Sequence, residues 1–70
     1  MNKEELKKNL RYLINKYIVN QSTKDDLLLH IDTKDQIGVK GILNQINIQE
    51  NVPFEVIDAD LIKDIVFYYV

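Results

Sequence analysis

The sequence predicts an all-α domain, a small helical bundle, and three observations carry that prediction. Apolar residues recur at helical spacing in three separate segments, helix-starting side chains precede each of them, and polar or proline-bearing stretches divide them. Seventy residues make one small domain, 1–70. A chain of this size buries only about 60% of the surface that its unfolded form exposes, so modest stability is expected.

The clearest element is a helix over residues 3 to 18. Leu6, Leu10, Leu13, Ile14 and Tyr17 fall on one face at the i, i+4, i+7, i+8, i+11 spacing. Asn2 is placed to cap its first amides, Glu5 sits where a capping box wants a carboxylate, and Glu4 suits the positive end of the helix dipole. The outer face carries Lys3, Lys7, Lys8 and Arg11, interleaved with the two glutamates, which reads as a solvated face.

"NQSTKDD", residues 20 to 26, is polar and turn-forming, with Thr23 and Asp26 spaced as a cap for a short helical turn. The "LLLHI" that follows is too short for periodicity to decide between a strand and a helical turn, and its expected role is to fill the core. Thr33 and Gln36 match the T-x-x-Q capping box, so a second helix is expected to start there and run through Ile46. Val39, Ile42, Leu43 and Ile46 form its buried stripe. At about 100° per residue, Ile37 then falls on nearly the opposite, exposed side. Gly38 and Gly41 each cost roughly 0.8–1.0 kcal/mol against alanine in a helix, which suggests contact points where another chain approaches closely.

Pro53 breaks the pattern in "QENVP", residues 49 to 53. Beyond it Leu61, Ile62, Ile65, Val66 and Tyr69 return to helical spacing, with Asp58 or Asp60 available as the cap. An α+β alternative with a C-terminal hairpin stays open, because "IVFYYV" is dense in β-branched and aromatic residues and "FEVID" could pair with it.

Composition narrows the function classes. The chain has no cysteine, which removes disulfides, thiol nucleophiles and cysteine-containing metal sites and makes a cytoplasmic location the default. No apolar stretch approaches the roughly 20 residues that span a bilayer, and "MNKEELKKNL" lacks the apolar core of a signal peptide, so no membrane association is expected. A net charge of −2 argues against a nucleic-acid partner. His30 has no serine or cysteine nucleophile in a recognisable setting beside it, and reads as structural or solvated. Asp58, Asp60 and Asp64 lack the glycine-bearing, oxygen-rich loop that calcium wants, and read as caps and surface carboxylates, so no metal site is expected. With no base, nucleophile or metal cluster in view, the chain is read as non-enzymatic. In the terminal "FYYV", Tyr69 is expected to fill the core, with Phe67, Tyr68 and Val70 left open between core and docking roles.

A long helix, an irregular loop with an apolar plug, a central helix, a break and a closing helix form an order that resembles the acyl and peptidyl carrier protein family. That resemblance implies a four-helix bundle with a phosphopantetheine arm on a serine at the start of the second helix. The family's "D-S-L" or "D-S-I" signature corresponds here to Asp35, Gln36 and Ile37. "LLLHID" looks like the loop beneath the site, and "IGVKGILNQI" and "LIKDIVFYYV" look like the second and closing carrier helices. The amide of Gln36 cannot form the phosphodiester, so no cofactor is expected unless Ser22 or Thr33 supplies the hydroxyl. Lys34 and Lys40 also leave the second helix nearly neutral, where carriers usually present acids. The resemblance thus implies a carrier-like interaction module without its arm, binding another protein through Asp35, Gln36, Ile37, Lys40 and Gly41. Gln36 alone would also serve as a plain capping residue, and a single exposed Ile37 is ordinary on a surface. The rival expectation is a small α+β inhibitor or regulator, for example a phage or mobile-element protein that blocks a host enzyme.

Overall fold

Asn2 starts the first helix as its sequence position suggests: its side-chain oxygen accepts from the Glu5 amide at 2.8 Å, and its backbone is extended. In the computed structural model, which describes residues 1–33, 38–49 and 53–70, α1 runs Lys3–Tyr17. Leu6, Leu10, Leu13, Ile14 and Tyr17 are all buried along it, as their spacing predicts. Among the described residues the chain forms four α-helices and no strand: α1, α2 (Gln21–Thr33), α3 (Val39–Gln49) and α4 (Val56–Tyr69). The architecture is an all-α, small four-helix bundle. The C-terminal hairpin of the alternative does not form, because Val56 to Tyr69 make one continuous helix. No helix of the described residues is long and apolar enough to cross a membrane.

The polar stretch after α1 is corrected from a turn to the first two turns of α2. Asn20 caps it, its side chain accepting from the Thr23 amide at 2.9 Å and its carbonyl from the Lys24 amide at 2.9 Å. Thr23 therefore lies inside the helix and is not its cap. Gln21 donates to Asp25 four residues on, at 2.7 Å, which supports the exposed side of that turn. "LLLHI" continues the same helix: Ile31 is buried, Leu27 and Leu28 pack at the core's edge, and Leu29 faces outward. Arg11 clamps α2 to α1 through two hydrogen bonds to Asp32, at 2.7 and 3.2 Å.

Thr33 ends α2, and does not open the next helix. Its hydroxyl donates to the Leu29 carbonyl at 2.7 Å, the back-bonded geometry of a threonine within a helix. The single helix expected from Thr33 to Ile46 is thus two: α2 ends at Thr33 and α3 begins at Val39, with the Ile42 amide bonded to the Gly38 carbonyl at 3.0 Å. Asp35, Gln36 and Ile37, with the capping box and the exposure argued from them, lie outside the described residues.

The stripe on α3 is as its spacing predicts, with Val39, Ile42 and Ile46 buried and Leu43 partly so. Pro53 precedes α4, whose N-cap is Glu55 acting through its backbone alone, so neither Asp58 nor Asp60 is the cap. Ile65 is buried on α4, Leu61 and Ile62 are partly buried, and Val66 stands at the edge of solvent. Tyr69 does not fill the core. It remains 38% exposed and donates its hydroxyl to the Met1 carbonyl at 2.7 Å, tying the end of α4 to the residue before α1. α1 packs against each of the other helices and α3 packs against α4, around one core.

Candidate functional site

Two features stand out, one inside the bundle and one on its surface. Inside, Asp58 lies in the first turn of α4 at the position i−7 from Ile65, so the helical repeat that buries Ile65 buries the carboxylate too, to 1% exposure. It is neither the cap nor the surface group that its sequence context suggests. α1 supplies the partners: Tyr12 donates to Asp58 Oδ1 at 2.7 Å, the buried Tyr17 hydroxyl donates to Oδ2, and Lys16 Nζ reaches Oδ2 at 2.8 Å. Lys16 also contacts Glu55 at 3.1 Å and lies over the Tyr12 and Tyr17 rings. The Tyr17 oxygen accepts in turn from the Glu55 amide at 3.2 Å, while Phe54 meets the Tyr17 ring edge-on at 4.6 Å between centroids.

Burial pushes the Asp58 carboxyl up, but hydrogen bonds from Lys16, Tyr17 and Tyr12 outweigh it and hold the group below the usual carboxylate range. The Lys16 ammonium is raised above its ordinary value, chiefly by its hydrogen bond to Asp58. Burial and then the same carboxylate raise the Tyr17 phenol. Among the described residues no buried polar side-chain atom lacks a partner. An ionised carboxylate whose lone pairs already receive three donors is a poor general base, and the cluster acts as a tie fastening the start of α4 to α1.

On the surface, α3 and α4 leave an open groove of about 650 Å³. Leu43, Phe54, Ile62, Val66 and Val70 give it an apolar floor. Lys40, Asn44 and Asn47 stand beside Gly41 along its α3 side. A Cβ at Gly41 would meet no atom of the described residues within 4 Å, so nothing among them requires glycine there. Of the residues expected to bind a partner, Lys40 and Gly41 are thus brought together on one groove, while Asp35, Gln36 and Ile37 lie outside the described residues. Sequence reasoning missed the groove's α4 side, Ile62, Val66 and Val70. Their i, i+4, i+8 spacing is visible, but Ile62 and Val66 are read from the sequence as core stripe and Val70 is left open.

His30 is partly buried in the last turn of α2, and Ser22 is exposed in its first turn. Asp60 and Asp64 are exposed on α4, away from the buried Asp58, and no group of three or more potential metal ligands gathers among the described residues. α2 occupies the stretch that the carrier resemblance reads as a loop. Comparison of the chain with family models, with curated proteins and with solved structures found no match.

Proposed function

We propose that this chain is a non-catalytic protein-binding module, and that the groove between α3 and α4 receives an amphipathic helix of a partner protein. The observation that carries this is Gly41: a helical glycine, open to solvent, beside an apolar trough that no side chain of the described residues fills. Helix-in-groove recognition needs an apolar floor, a place where backbones can approach, and a few polar groups to fix orientation. The floor, Gly41 and the Lys40–Asn44–Asn47 row supply these in turn. Lys40 favours a partner helix that carries a carboxylate on the flank of its apolar stripe. On this reading the module works without a prosthetic arm, because the amide of Gln36 cannot form the phosphodiester, and incubation with a promiscuous phosphopantetheinyl transferase and coenzyme A should leave the mass unchanged.

Affinity capture followed by direct binding of the purified partner tests the reading. Wild type and Asp26→Ala, a change on the exposed side of α2, should bind alike. Gly41→Leu, which fills the groove, should lose binding by at least tenfold. Equal affinity of Gly41→Leu and wild type for every partner that binds directly would remove the groove from the function.

A further inference from the structure

The buried cluster and the surface groove meet at one residue. Phe54 stands ahead of α4, outside any helix, and its side chain forms part of the groove's floor. Tyr17 holds it in two ways. The Tyr17 ring meets the Phe54 ring edge-on, 4.6 Å between centroids and 73° between planes, one of the preferred aromatic arrangements. One residue on, the Glu55 amide donates to the Tyr17 hydroxyl at 3.2 Å. That hydroxyl is itself aimed, because it donates its only proton to Asp58 Oδ2 and so leaves its lone pairs for the amide. Lys16 spans Glu55 and Asp58, at 3.1 and 2.8 Å, and closes the arrangement. Tyr12 serves the same carboxylate at 2.7 Å, from a hydroxyl that otherwise bonds Lys16.

We propose that Tyr17 is the positioning residue of the groove: through the Phe54 ring and the Glu55 amide it fixes the floor, and the buried cluster thereby sets how tightly the groove binds. This rests on the groove as the binding site. Because Phe54 precedes α4, the hydrogen-bond ladder of the helix does not fix it. Its place depends on the edge of the core and on the anchor that α1 supplies. A floor that must be ordered on binding costs affinity, and one held beforehand does not. Tyr17 is buried and does not line the groove, so its effect on a partner is carried by the segment it holds. The coupling runs both ways, since a partner that prefers the anchored floor strengthens the anchor by the same factor.

Fluorine NMR tests the anchor with no partner present. The chain has two phenylalanines, so fluorine-labelled phenylalanine gives one signal from Phe54 and a control signal from the exposed Phe67. Tyr17→Phe keeps the ring and removes the hydroxyl, and should move or broaden the Phe54 signal while leaving that of Phe67 in place. Tyr12→Phe removes a hydrogen bond to the same carboxylate, so a role in stability alone would show equally in both variants. Here the Phe54 signal should stay at its wild-type position. Toward the partner protein purified by capture, Tyr17→Phe should bind about three- to tenfold more weakly, the span of one lost hydrogen bond. Tyr12→Phe should bind as wild type, with circular dichroism showing both variants folded. In the wild type, where no variant need fold, saturation with that partner should slow hydrogen exchange of the Glu55 amide. An unmoved Phe54 signal in Tyr17→Phe, equal displacement in both variants, unchanged exchange at Glu55, or full affinity of Tyr17→Phe for a partner that Gly41→Leu has lost would each overturn the proposal. Failure of the groove itself is told apart as an unchanged affinity of Gly41→Leu, and it takes the proposal with it.

Discussion

Asp58 decides much of the bundle's behaviour at the scale of single residues. Replacing it with alanine leaves the buried Tyr17 hydroxyl without its acceptor and separates Lys16 from its counter-charge. That should cost about 3 kcal/mol by the usual penalty for an orphaned buried group, measured by urea unfolding. The pH dependence follows from the shifts. A carboxyl lowered from its ordinary 3.8 adds stability above that value and loses it as pH falls through the folded-state pKa. Lys16 and Tyr17, raised from 10.5 and 10.0, add stability that is complete below those values and is lost as pH rises through their folded-state pKa values. Stability measured against pH should therefore be level between the two ranges and fall beyond each. Asp58→Asn should flatten the acid side. In the sequence the one visible signal was an aspartate standing on the apolar stripe of α4. Its partners could not be read there, because Tyr12, Lys16 and Tyr17 lie more than forty positions earlier and meet it only after α1 and α4 pack.

Among the elements, α1 and the stripe of α3 were legible because strong periodicity and a matched cap agree. α2 was not. It buries only Ile31 fully and keeps a polar outer face, so its helical repeat is faint, and "NQSTKDD" carries the residues that turns prefer. What makes it a helix is Asn20 at its start and the packing of Leu27, Leu28 and Ile31 on α1. Asn20→Ala should accordingly cost about 1 kcal/mol, the usual value of a lost cap, seen as a lower unfolding midpoint in urea. α3 yields the opposite sign. Gly41→Ala adds a methyl group to open space in a helix and should stabilise the fold by roughly 0.8–1.0 kcal/mol, or about 4–8 °C in Tm for a domain of this size. Among the described residues this glycine weakens its own helix and fills no tight contact, which is what the proposed approach of a partner helix would use.

For the whole molecule, the core joins all four helices, with Leu10, Ile31, Ile46 and Ile65 each at 0% exposure. Ile46→Ala should lose about 2–5 kcal/mol, enough to unfold much of a 70-residue domain at ambient temperature. The all-α class was readable from the sequence. The groove side of α4 was not, because spacing alone cannot say which side of a largely apolar helix the core will take. The division into a core side, a groove side and an outer side exists only once α1 and α3 have docked. The most direct test of the groove is a titration of the isotope-labelled protein with its captured partner, followed by amide chemical shifts. The expected perturbations cluster on Lys40, Gly41, Asn44, Asn47, Ile62 and Val66; shifts confined to α2 and the first turns of α1, with those six residues silent, would contradict it.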